Sequence, residues 1–202
     1  MISTSPIIDI GANLTHPDLY PNIKEIINQM DNEHVTHAII ISSTLQDANK
    51  AILIAEKYAG KFFTTVGFHP HNSKEFSDSN IKDIKNLLKN KLVVAIGECG
   101  LDYYRLYSEK KEQIVCFENH VKLAIDTQKP LFLHERNAHD DFYAILSSVY
   151  KKLNKFVVHC FTGDKSILKK YLDLGSYIGI TGWITDQSSC LLYTSPSPRD
   201  NR

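Results

Sequence analysis

Val93-Val94-Ala95-Ile96-Gly97-Glu98-Cys99-Gly100-Leu101-Asp102 is the stretch from which the fold is read. Val93, Val94, Ala95 and Ile96 suit a short strand buried on both faces, and the run then meets a carboxylate flanked by glycines. A lone buried carboxylate is costly, so Glu98 must face a polar mouth, pair with a cation or ligate a metal. Three histidines close other apolar runs in the same way: His69 after residues 62–68, His134 after 130–133, and His159 after 156–158. One glutamate and three histidines at four strand ends point to a common site.

The same rhythm runs through the rest of the chain. Residues 7–10 read as a first strand, 22–30 as a helix with Asn22 as N-cap, 37–41 as a second strand, and 47–59 as a helix stopped by Gly60. Strands follow at 62–68, 92–96, 130–133, 156–160 and 177–180, separated by helices near 81–89, 109–127, 140–153 and 165–174. Pro130 stands at a first strand position, where proline is tolerated. Apolar strands alternating with amphipathic helices imply parallel βα units, either an open doubly wound sheet or a barrel. The barrel is favoured because the chemically interesting residues end several different strands, and no GxGxxG loop follows the first. The expected fold is therefore α/β, a TIM-type (β/α)8 barrel with seven strands legible and the last βα unit missing. Residues 6–186 are expected to form this one domain. Residues 187–202, with two prolines and four serines from Ser188 onward, read as a disordered or non-native tail.

The 202 residues suffice for a substantial core. Lys plus Arg total 23 and Asp plus Glu total 23, so net charge marks neither a nucleic-acid nor a membrane partner. Cys99, Cys116, Cys160 and Cys190 form no CxxC pair, which argues against a zinc knuckle or a disulfide framework and for reduced thiols. No apolar run approaches the ~20 residues of a membrane span. A cytoplasmic protein without an obligate protein partner is expected.

Six segments carry a family resemblance. They are Asp9-Ile10-Gly11-Ala12-Asn13-Leu14-Thr15, Gly67-Phe68-His69-Pro70-His71, Ile96 to Asp102, Leu133-His134-Glu135-Arg136-Asn137-Ala138-His139, Val158-His159-Cys160-Phe161-Thr162-Gly163, and Tyr177 to Trp183. In this order and spacing the chain resembles the TatD family of metal-dependent deoxyribonucleases, within the amidohydrolase-like barrels. The resemblance implies a DNase, acting from the 3′ end of single-stranded DNA, with Glu98, His134 and His159 as metal ligands and His69 beside them. It implies a divalent ion, Mg²⁺ foremost for activity, with Zn²⁺ or Mn²⁺ as alternatives. Arg105, just past the Glu98 strand, is expected to hold a phosphate oxygen and act with His69 on the developing charge. Two departures stand out: Gly11-Ala12-Asn13 occupies the place where many relatives carry His-x-His, and the family's late Glu-Thr-Asp-Ala-Pro aspartate is absent, with Asp186 and Asp200 nearest in position.

Blander readings accompany each residue. Glu98 could bond backbone amides or Arg105, and His134 and His159 could be satisfied core histidines. Arg136 and His139 are either capping and surface residues or substrate contacts, and Trp183 either packs at the mouth or stacks on a nucleobase. Cys99 and Cys160 read as small fillers. The rival functions are a truncated, non-catalytic barrel fragment and an ester or amide hydrolase on the same scaffold.

Overall fold

A computed structural model describes residues 5–182. Trp183, Asp186, Cys190, Asp200 and the 187–202 segment lie outside the described residues. The elements run β1 (Ile7–Ala12), α1 (Ile23–Asn32), β2 (Val35–Ile40), α2 (Leu45–Lys57), β3 (Phe62–Val66), α3 (Asp78–Leu87), β4 (Val93–Asp102), α4 (Lys110–Thr127), β5 (Leu131–Arg136), α5 (His139–Val149), β6 (Phe156–His159), α6 (Lys165–Asp173) and β7 (Tyr177–Ile178). Among the described residues no helix is long and apolar enough to cross a membrane.

The helix starts follow local capping chemistry. Thr44 Oγ1 accepts from the Asp47 amide at 3.1 Å, so α2 begins two residues before the expected boundary. Ser77 and Asn80 form a capping box that starts α3 at Asp78 rather than near 81. Asp164 Oδ1 accepts from the Ile167 amide at 2.9 Å and opens α6.

All neighbouring strands are parallel, and their spatial order is the chain order, β1 to β7. A doubly wound sheet would reverse its order at a switch point, and this one does not. The sheet also curls. In a flat sheet β1 and β5 would lie about 19 Å apart, yet a Cβ on Gly11 of β1 would sit 3.5 Å from the Phe132 ring of β5. Ile10, Ile39, Val94, Phe132, Val157 and Tyr177, from six strands, surround one apolar cavity of about 290 Å³. Ile7, Ile8 and Ile10 on the β1 edge remain 54%, 56% and 39% exposed.

Two strands that carry site residues run well past their expected ends, β4 and β5. β4 continues past Ile96 to Asp102 because Cys99, Gly100, Leu101 and Asp102 pair with Leu133, His134, Glu135 and Arg136. Glu98 and His134 are therefore held inside paired strands and not at their ends. The pairing is tight enough to demand glycine. Gly97 and Gly100 have φ of 139° and 142°, and a Cβ at Gly100 would lie 1.9 Å from the His134 carbonyl oxygen.

Beneath the sheet, Phe117 of α4 and Phe142 of α5 stack with centroids 5.1 Å apart in the larger core. A smaller core joins Ile23 and Met30 of α1 to Ala51, Ile54 and Ala55 of α2 and to Ile40 and Phe62. His120 of α4 is fully buried and doubly bonded: its Nε2 accepts from the Phe68 amide at 3.1 Å, and its Nδ1 donates to the Cys116 carbonyl at 2.7 Å. Burial lowers its pKa to about 4.

Gly100→Ala should destabilise the fold by at least about 2 kcal/mol, read as a lower urea midpoint; an unchanged midpoint would mean that β4 and β5 are not this close. His120 is neutral when folded, whereas the unfolded chain takes up a proton near pH 6.5. Its contribution to stability is thus complete above pH 6.5 and falls by about 3 kcal/mol as pH drops towards 4. An NMR titration of the folded protein should find the His120 ring still neutral at pH 5; protonation near 6.5 would contradict the assignment.

Candidate metal centre

Side chains alternate along a strand, so Glu98, Gly100 and Asp102 share one face of β4. Gly100 between them carries no side chain, and both carboxylates are buried, with Asp102 1% exposed. Four imidazoles converge on this pair. His159, the last residue of β6, brings Nε2 within 2.5 Å of Glu98 Oε1. His134 bridges the two acids, Nδ1 3.1 Å from Glu98 Oε1 and Nε2 3.1 Å from Asp102 Oδ2. His69 Nε2 lies 3.6 Å from Glu98 Oε1, and His71 Nε2 lies 3.0 Å from Asp102 Oδ2.

The turn after β3 aims the last two rings. The His69 amide donates to the Ser43 carbonyl, the following residue is Pro70, and His69 Nδ1 accepts from the His71 amide at 3.1 Å. The two rings sit edge to face, 4.3 Å apart, and His69 is 4.6 Å from His134. Asp102 organises the opposite side. Its Oδ1 accepts from the Tyr104 and Arg105 amides at 3.0 and 2.8 Å, and its own amide donates to Gln113 Oε1 at 2.8 Å.

These contacts set the charge states. Burial opposes ionisation of Glu98, but His159 and His134 outweigh it and hold the carboxyl well below the usual range. Burial likewise opposes the charge on Asp102, which the bonds from His134 and the Arg105 amide keep ionised to unusually low pH. His134 resists burial through its bonds to Asp102 and Glu98 and is raised to about 9. Burial lowers His69 to about 3 despite Glu98, leaving a neutral imidazole as metal ligation requires.

Among the described residues, one group can converge on a metal: the ligand atoms of His69, Glu98 and His134 all lie within 4.8 Å of one another. Two imidazoles and a carboxylate are a borderline donor set that fits a divalent cation such as Zn²⁺ or Mn²⁺. Of the expected ligands, Glu98 and His134 belong to this group; His159 touches Glu98 but stands outside it, while His69 enters it. Arg105 contributes its amide to Asp102, and its side chain is exposed and forms no ion pair among the described residues. Asn13 is exposed. His139 Nδ1 meets the Tyr171 hydroxyl at 2.9 Å. Cys99 is fully buried, which pushes its thiol pKa well up and removes it as a nucleophile. His71 and the double role of Asp102 were the parts that sequence reading passed over. The spacing of four between Glu98 and Asp102, on a strand, was the available signal.

Comparison with known proteins identifies the family. The TatD related DNase family matches residues 8–194. The chain is 38% identical over 179 residues to the 3′-5′ ssDNA/RNA exonuclease TatD of Klebsiella pneumoniae (strain 342), covering 89% of this chain and 68% of that protein. The protein of the same name from Edwardsiella piscicida is 37% identical over 180 residues, covering 89% and 69%. Among solved structures, a hydrolase TatD family protein from Entamoeba histolytica superposes with TM-score 0.85 at 32% identity, covering 94% of this chain and 69% of that one. An uncharacterized amidohydrolase from Saccharomyces cerevisiae gives TM-score 0.81 at 27% identity, covering 89% and 68%. With β4, β5, β6 and the turn after β3 delivering the clustered acids and imidazoles and the family match spanning nearly all of the described residues, the chain belongs to the TatD related DNase family.

Proposed function

We propose that this chain is a metal-dependent nuclease that hydrolyses phosphodiester bonds of DNA, working from the 3′ end of single strands. The observation that carries the reading is the convergence of His69 from the turn after β3, Glu98 from β4 and His134 from β5 in a chain whose relatives bear the exonuclease name. Glu98 and His134 would hold the cation, with His69 or His159 completing the set. When bound there, a divalent ion supplies Lewis acidity to a phosphoryl oxygen and lowers the pKa of a water. Mg²⁺ is the ion proposed for activity, with Mn²⁺ and Zn²⁺ as alternatives.

The chain's own residues do the rest. Glu98 orients His134 and His159 through one oxygen, and Asp102 fixes the other end of the His134 ring, as an outer carboxylate does for a ligating histidine. His71 shares Asp102 and keeps that carboxylate from turning away. Arg105, exposed in the turn whose amides bond Asp102, would meet phosphate of a bound strand. The sequential parallel sheet supports a TIM-type barrel over residues 6–186, lacking a closing βα unit, and the apolar β1 edge is the face such a unit would cover. The free thiols of Cys99, Cys116 and Cys160 fit a reducing, cytoplasmic setting.

With a 5′-labelled single-stranded oligonucleotide and Mg²⁺ or Mn²⁺, the wild-type chain should shorten the strand stepwise from its 3′ end. Glu98→Gln should abolish that activity, and Asp102→Asn should reduce it by roughly 10–100-fold through a misoriented His134. Full activity in Glu98→Gln, or turnover of small esters with no action on DNA, would overturn the proposal.

A further inference from the structure

A second feature borders His134. A cavity of about 290 Å³ is bordered by His134, Arg136, Asn137 and Tyr104. His134 and Arg136 are two residues apart on β5 and so face the same side. The Arg136 guanidinium lies over the Tyr104 ring, 4.0 Å from its centroid. It forms no ion pair among the described residues. Glu135 also borders the cavity, but its carboxylate is engaged elsewhere: Oε1 accepts from the Ala138 amide at 2.8 Å and Oε2 from the Tyr171 hydroxyl at 3.1 Å. Among the described residues the cation at this cavity thus has an aromatic partner and no anionic one.

The pair is held by backbone as well as by stacking. The Tyr103 amide donates to the Arg136 carbonyl at 2.8 Å, and the Tyr104 amide donates to Asp102 Oδ1. Glu135 pins the loop that follows Arg136 through Ala138. Tyr104 is 58% exposed, so one ring face meets Arg136 while much of the ring remains open to solvent. A rigid planar ring beside an uncompensated guanidinium is the chemistry of a single-stranded nucleotide site: the ring stacks a base of any identity, and the guanidinium takes two phosphate oxygens.

We infer that this cavity is the subsite for the nucleotide next to the scissile phosphodiester, with Arg136 binding its phosphate and Tyr104 stacking its base. This inference rests on the nuclease reading and names where the substrate strand lies relative to His134. It makes Arg136, which lines the cavity, a phosphate contact distinct from the exposed Arg105. It also fits a preference for single strands, since a base stacked between neighbouring pairs inside a duplex offers no free face to Tyr104.

The test is fluorescence anisotropy of a labelled single-stranded oligonucleotide on the full chain in EDTA, where no turnover occurs, over a range of salt concentrations. Tyr104→Ala should weaken binding by about tenfold, with most of that loss recovered in Tyr104→Phe. Arg136→Gln should weaken it similarly and lower the slope of log affinity against log salt by about 0.7, the contribution of one neutralised phosphate on a single strand. Melting curves establish that each variant is folded. Folded variants that bind like wild type, or a wild-type chain that does not bind the strand at all, would overturn the subsite. The nuclease reading is judged separately by hydrolysis: an inactive wild-type chain showing the predicted binding pattern would remove that reading and leave the cavity a single-strand nucleotide site with no scissile bond beside it.

Discussion

A buried carboxylate at the centre of the mouth is the constraint on which this structure depends. Glu98 is taken out of water by β3, β4 and β5, and its charge is kept because His159, His134 and His69 surround a single oxygen. Removing any one ring would leave the carboxylate less compensated, and replacing the acid would leave several imidazoles without their common acceptor. The site is therefore a single electrostatic unit, and the curled sheet is what brings its parts together. No two of the rings that face Glu98 come from the same strand–loop unit: His69 follows β3, His134 lies in β5 and His159 ends β6.

The close approach of β4 and β5 joins this site to the fold. Gly97 and Gly100 let the two backbones pass at distances a Cβ would forbid, and the same pairing carries β4 on to Asp102 and β5 on to Arg136. Asp102 thereby reaches His134 and His71 from one oxygen while its other oxygen caps the turn carrying Tyr104 and Arg105. Backbone geometry, histidine orientation and the placement of the Tyr104–Arg136 pair follow from one strand pairing.

Much of this was legible in the residues. The alternation of apolar runs with amphipathic helices gave seven strands in the observed order, and Glu98, His69, His134 and His159 were each singled out by the apolar run they follow. Strand ends were less legible, because the apolar run stops at Ile96 and Leu133 whereas the hydrogen-bonded pairing does not. That pairing is a property of two segments together, and neither one announces it alone. For the same reason nothing in the segment after Pro70 marks His71 as part of the site, although its ring turns inwards to Asp102, 31 residues away in the chain. Capping shifted α2 and α3 by a few residues, through Thr44 and the Ser77–Asn80 pair, signals present in the sequence but overridden there by the apolar periodicity.

The central claim is that the acids and imidazoles form a metal centre and not merely a buried salt-bridge network. Anomalous diffraction from crystals of the full chain soaked in Mn²⁺ tests it most directly. The account predicts one strong peak within about 2.2 Å of the Glu98 carboxylate and of the His134 and His69 nitrogens. An ion bound elsewhere, with Glu98 still shared among His134 and His159, would contradict it.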